Sequence, residues 1–356
     1  MNRFATLAAA TAIVTSGGAA YAIEVDLDFS QDGGYFTANP LAKAALEQAA
    51  SDLSDAILTD LGQVVDMNSA TFDSNGTTDA AGIAEFDFRY SYTNPSTGAA
   101  ETFDPAVLPE NVIKVFVGAR TLGGSTLGQG GVGGIGVSIT AGGNGELGFP
   151  SEFGPNAQGA WDIALPAAQS NYRRDNGPVA GNLSGSINTS GVTLDYDIDA
   201  GVGIGNIWFD DDTDWHFDHT VDVPFDKIDF YSVALHELVH AIGFSGTDSY
   251  EELISDADNS DWLGEAVIEL LGSGDGVLEP DGRHLLAGIT SLNPFTGLTQ
   301  EALMDPTIAN GVRKGLTELD LAVLEDLGYT VVPEPMAASM IAAVGVLVVM
   351  RRRRDA

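Results

Sequence analysis

Apolar positions along the chain switch between two periods, and the switches mark out its elements. Residues 23–29 read as an early strand, and residues 39–61 carry Ala, Leu and Ile at helical spacing. The run Asn111-Val-Ile-Lys-Val-Phe-Val-Gly118 reads as a buried strand. Residues 180–208 alternate polar and apolar positions between Gly, Ser and Asn turns, which predicts further strands. A second helix follows, with Phe230, Val233, Ala234, Leu238 and Ile242 anchoring its buried faces. Asp226 is placed to cap it, Asp229 falls in its first turn, and Gly243 supplies a left-handed stop. Thr317-Glu-Leu-Asp320 then opens a last helix like a capping box, with Leu321, Val323, Leu324 and Leu327 on it and Gly328 at its end. No internal repeat interrupts this order.

Between Gly118 and Gly148 glycine is dense, and Gly131-Val-Gly133-Gly134-Ile-Gly136 fits the spacing of a dinucleotide-binding turn. No helical pattern follows it, and no acidic residue stands about twenty positions on within a βαβ unit. A glycine-rich surface loop or hairpin is the expected structure.

Composition narrows the setting. The formal net charge is −36, so nucleic acid and anionic lipid are repelled, and bound calcium or high salt suits the surface. There is no cysteine, which excludes disulfides, thiolate ligands and latency through a cysteine switch. At the start, Arg3, an apolar stretch over residues 7–14 and Ala20-Tyr21-Ala22 make residues 1–22 an expected signal peptide. At the end, Pro333-Glu334-Pro335 precedes fifteen apolar or small residues and the block Arg351-Arg352-Arg353-Arg354. As a helix that segment rises about 22 Å, short of the roughly 30 Å hydrocarbon core, so untreated it is a marginal transmembrane anchor. The arginines would stay cytoplasmic. This tripartite tail resembles the PEP-CTERM sorting signal of Gram-negative bacteria, which implies an exosortase-type sorting enzyme as partner. It also implies transient membrane association and export to the cell surface or extracellular matrix.

The chemistry-bearing stretch is His236-Glu237-Leu238-Val239-His240. Residues four apart share a helix face, so both imidazoles can reach one zinc ion. Glu237 stands at the rim of that face, where it can take a proton from water at the metal. The chain has five histidines in all, and two are here. At least one further protein ligand is needed to leave a single open position. Upstream, Asp210-Asp211-Asp212-Thr213-Asp214 gathers carboxylates at a density that suits calcium through Asp210, Asp212 and Asp214, or else a solvated acidic loop. His216 and His219 are candidates for a second, structural zinc, with edge-strand residues as the preferred reading.

The eight positions from His236 to Gly243 match the start of the metzincin metallopeptidase motif. In that family a third histidine follows the glycine by three residues, and here Gly246 stands there. Asp248 or Glu251 could ligate locally, with His216 and His219 weaker candidates. His284, returning after an insertion of 40 residues as in leishmanolysin-like members, is preferred. It is the only other histidine after the motif, it follows the turn-like Pro280-Asp281-Gly282, and the family favours histidine over carboxylate. Ala302-Leu303-Met304-Asp305-Pro306 resembles the Met-turn, with Met304 as an apolar floor. The helix after it, and a segment at Trp215-His216-Phe217-Asp218 similar to one in matrixins, extend the likeness over roughly residues 110–330.

The expectation is an α+β protein with a metzincin-like domain: a twisted mixed sheet, an active-site helix and a C-terminal helix after the Met-turn. Residues 1–22 would be signal, 23–110 the N-terminal part of the catalytic domain or a prosegment, 111–330 the catalytic domain and 331–356 the sorting tail. The implied activity is an exported zinc-dependent endopeptidase acting on protein or peptide substrates. A surface adhesin or biofilm-matrix protein with a degenerate protease domain, or a zinc amidase acting on cell-wall peptides, remain as alternatives.

Overall fold

The computed structural model describes residues 23–332, apart from 66, 74–80, 106, 144–153, 190–191 and 256–258. The expected leader and the tail from 333 onward lie outside the described residues. The first elements are β1 (Glu24–Asp28), α1 (Tyr35–Ala38), α2 (Pro40–Ala56), β2 (Val64–Val65), β3 (Met67–Asp73) and β4 (Ala81–Thr93). Next come β5 (Ala100–Phe103), β6 (Val107–Leu108), β7 (Val112–Ala119), β8 (Gly128–Val132), β9 (Gly134–Gly143) and α3 (Gly154–Arg173). Then follow β10 (Val179–Thr189), β11 (Val192–Gly201), β12 (Ile204–Phe209), β13 (Trp215–His216), β14 (Ile228–Asp229) and α4 (Phe230–Ala241). Short elements α5 (Asp248–Glu251), α6 (Glu265–Leu271), β15 (Thr290–Asn293) and β16 (Leu298–Glu301) lead to α7 (Glu318–Asp326).

The mixture is α+β. One sheet has the order β1-β7-β12-β8, with the first three strands parallel and β8 antiparallel at the edge. Its core is shared with α2 and α4, whose Ala42, Ala45, Leu46, Ala49 and Leu53, and Val233, Ala234, Leu238 and Val239, are buried together. The spacing on α2 is the three-and-four repeat of an amphipathic helix, so one face closes against the sheet and α4. Helix α2 ends at Ala56 rather than near residue 61, because Ile57 enters a bridge with Val331. A second sheet joins β3, β4, β5 and β9. Phe86, Phe88 and Tyr90 from it form a separate core with Trp161 and Tyr172 of α3 and Leu194 and Ile198 of β11. Residues 180–208 form strands as expected, β10 and β11 as a long antiparallel pair and β12 inside the first sheet.

Two local expectations change. Asp229, not Asp226, caps α4: its carboxylate accepts the Ser232 N–H at 3.1 Å and the Ser232 hydroxyl at 2.6 Å. Pairing of β14 with β13 carries the chain to Asp229 before the helix begins, which leaves Asp226 in the preceding turn. Asp229 is fully buried, and the Arg313 guanidinium closes its charge at 2.8 Å. The glycine-rich stretch, in turn, is neither a loop nor a hairpin of its own. Strand β8 pairs with β12 and β9 pairs with β4, so the stretch passes from one sheet to the other.

The transmembrane expectation is corrected as far as the structure reaches. Among the described residues no helix is long and apolar enough to cross a membrane.

Glycine in β8 has a steric reason. A Cβ on Gly130 would stand 2.4 Å from the Glu237 carbonyl oxygen, and one on Gly128 would stand 2.8 Å from the Glu237 carboxylate. The edge strand therefore lies against helix α4 with no room for a side chain at Gly128 or Gly130. Gly130→Val should cost about 1–3 kcal/mol or more through overpacking and lower the melting temperature by several degrees. Unchanged thermal unfolding of that variant would contradict this packing.

Candidate metal centre

Helix α4 brings His236 and His240 onto one face, with their Nε2 atoms 3.2 Å apart. His284 arrives from the excursion after the helix and places its Nε2 3.4 Å from that of His240. Ligand atoms of the three lie within 4.8 Å of one another, and among the described residues they are the one such group of His, Asp and Glu. Four donors at 2.0–2.1 Å around a tetrahedral zinc stand about 3.3 Å apart. The two separations about His240, 3.2 and 3.4 Å, match that spacing.

The tautomers make the fit chemical as well as geometric. His236 Nδ1 lies 2.8 Å from the Leu303 carbonyl, and His240 Nδ1 lies 2.8 Å from the Phe244 carbonyl. A carbonyl oxygen only accepts, so both Nδ1 atoms carry the hydrogen and both Nε2 atoms carry lone pairs. Two lone pairs 3.2 Å apart repel unless a cation lies between them. Burial removes the alternative of protonation. It pushes His236 down to about 3, His240 well below the ordinary imidazole range and His284 lower too. The residues present therefore fit a divalent metal held by neutral imidazoles.

Backbone geometry supplies these carbonyls. Gly243, Ser245 and Gly246 all have positive φ (128°, 69° and 76°), and the turn they make returns the Phe244 carbonyl to His240. The segment Ala302–Asp305 does more. Its Leu303 carbonyl orients His236, and its Met304 carbonyl accepts the N–H of Leu285, the neighbour of His284, at 2.9 Å. That segment is fixed by Asp320 of α7. The Asp320 carboxylate accepts Leu303 N–H at 2.9 Å and Met304 N–H at 3.0 Å, besides the Thr317 N–H and hydroxyl. One buried carboxylate thus ties the closing helix to the turn that aims two of the three histidines. Met304 itself is fully buried.

Glu237 sits between the triad and β8. Burial raises its carboxyl to about 8, and a dication beside it would act in the opposite sense. A cleft of about 270 Å³ opens here. Ser125–Gly128 form one wall, His236, Glu237 and His284 the floor, and the segment 305–308 with Lys314 the other wall. The outer edge of β8 is unpaired among the described residues.

Other expected ligands fall elsewhere. Asp248 and Glu251 are on α5, lining a surface groove with Glu252 and Leu263. His216 lies on β13, and His219 faces the Tyr231 ring; neither joins the triad. Asp210, Asp212 and Asp214 do not converge on a common point. Asp210 accepts from Leu122 N–H and the Thr213 hydroxyl, and Asp214 pairs with Lys227. The Leu303 and Phe244 carbonyls are invisible at the level of sequence, because main-chain acceptors carry no residue signature. Asp320 was visible only as a capping residue, with its second set of donors hidden.

The chain should bind one zinc, with His284→Ala losing most of it and Asp248→Ala keeping it, as read by metal analysis after dialysis. Retained zinc in the His284 variant would remove that residue from the site. Asp320→Ala should weaken zinc about 10–100-fold in chelator competition, the usual effect of losing an outer-shell support. An unchanged affinity would show that the turn holds without it. Comparison of the chain with known protein families, curated proteins and solved structures gives no match.

Proposed function

We propose that this protein is a zinc-dependent endopeptidase with a metzincin-like fold, exported from the cell, and that it cleaves protein or peptide substrates at the His236/His240/His284 centre. The convergence of three imidazole nitrogens beside Glu237 carries the reading. Element order supports the fold: a parallel sheet with an antiparallel edge strand, the metal helix, a late third histidine, the turn at Met304 and the closing helix α7.

Zinc in such a site supplies Lewis acidity, polarising a peptide carbonyl and making water acidic near neutrality. His236, His240 and His284 would hold it as neutral donors and leave its charge undiminished. Glu237, at the cleft floor, accepts the proton of the attacking water and passes it to the leaving amine nitrogen. Its burial against β8 keeps bulk water from competing for that proton. An extended peptide can lie along the free edge of β8, whose backbone groups offer a new strand its hydrogen bonds. That edge favours peptide chains over compact amide substrates. An adhesin with a degenerate domain would have no use for unprotonated nitrogens gathered at one point.

Glu237→Gln should keep zinc and lose casein cleavage by about 10²–10⁴-fold, since the amide cannot accept the proton. Full activity in that variant would overturn the role of Glu237, and an inactive, zinc-free parent protein would overturn the peptidase reading.

A further inference from the structure

The acidic turn after β12 has a use other than cation binding. Asp210 is only 8% exposed, and it holds both ends of the connection between β7 and β8. Its carboxylate accepts Leu122 N–H at 2.9 Å, and its own N–H donates to the Leu127 carbonyl at 2.9 Å. The second carboxylate oxygen accepts the Thr213 hydroxyl at 2.6 Å, and Asp211 accepts the Thr121 hydroxyl at 2.9 Å. The span from Leu122 to Leu127 is therefore closed at its base by a single buried residue. Its tip, Gly123-Gly124-Ser125-Thr126, is exposed, and both glycines take left-handed φ of 74° and 69° with open space around them. Ser125, Thr126 and Leu127 form the cleft wall that runs directly into Gly128 beside Glu237.

We infer that Asp210 is a positioning residue for substrate: by clamping the base of the 122–127 lip it sets the wall against which a peptide entering the metal cleft is held. This rests on the peptidase reading. The clamp touches no metal ligand, so its loss affects how substrate is held and leaves the metal and Glu237 in place. Truncating the side chain removes one end of the clamp only. The Asp210 carbonyl still accepts from Trp215 Nε1 at 2.9 Å, and its N–H still reaches Leu127.

Steady-state cleavage of a fluorogenic peptide separates the outcomes. Asp210→Ala should raise KM about tenfold or more with kcat within about threefold and zinc content unchanged. Asp210→Asn should stay near the parent, because its amide oxygen can accept from Leu122 while its amino group donates to the Thr213 oxygen. Leu122→Pro removes the lip's own donor at a half-buried position and should reproduce the rise in KM should Asp210→Ala fold poorly. A parent-like KM in both Asp210→Ala and Leu122→Pro, or a fall in kcat at constant KM, overturns the inference. Absence of any cleavage by the parent protein overturns instead the peptidase reading on which it rests.

Discussion

Mutual repulsion of imidazole lone pairs is the constraint around which this structure is organised. Two Nε2 atoms stand 3.2 Å apart with their hydrogens committed elsewhere, and a third stands 3.4 Å away. Burial keeps the rings neutral, so no proton relieves the contact. A divalent cation turns the same arrangement from unfavourable to strongly favourable. Whatever holds the three rings in place would then support such a cation.

That support comes from well-separated parts of the chain. The Asp229–Arg313 pair fixes the entry of helix α4, and the left-handed turn at Gly243 closes its exit. Asp320, at the start of the closing helix, holds the turn at Leu303 and Met304, which in turn orients His236 and anchors the strand-like segment beside His284. Strand β8 covers Glu237 from the other side, and its glycines permit the close approach. The result is that the His236 and His240 rings are aimed by hydrogen bonds to backbone carbonyls, while the main chain beside His284 is held by the Leu285–Met304 bond.

The legible parts of the fold were those with a periodic side-chain signal. Helix α4, helix α7 with its capping box, and the strands over residues 180–208 follow from spacing alone. His236, Glu237 and His240 were readable because one helical turn fixes their relation. His284 was reachable through the resemblance to metzincins together with the scarcity of histidines, but its delivery was not, because it depends on a main-chain bond from Leu285 to Met304. Strand β8 was illegible for a physical reason: its Gly128, Gly130 and Gly131 carry no strand propensity, and their smallness serves helix packing rather than sheet formation. The capping aspartate was misplaced by three positions because two aspartates there offer the same chemistry and only the β13–β14 pairing chooses between them. The acidic turn could be read as a calcium site or a solvated loop, because sequence shows carboxylate density and not the N–H, hydroxyl and ammonium partners that Asp210 and Asp214 have in the fold.

X-ray absorption at the zinc edge of the purified protein tests the central claim most directly. A metal centre built on His236, His240 and His284 predicts one zinc in a four-donor shell at about 2.0–2.1 Å, with the outer-shell scattering of three imidazoles and one further oxygen. A shell of six oxygens, fewer than three imidazoles, or a protein that takes up no zinc would contradict it.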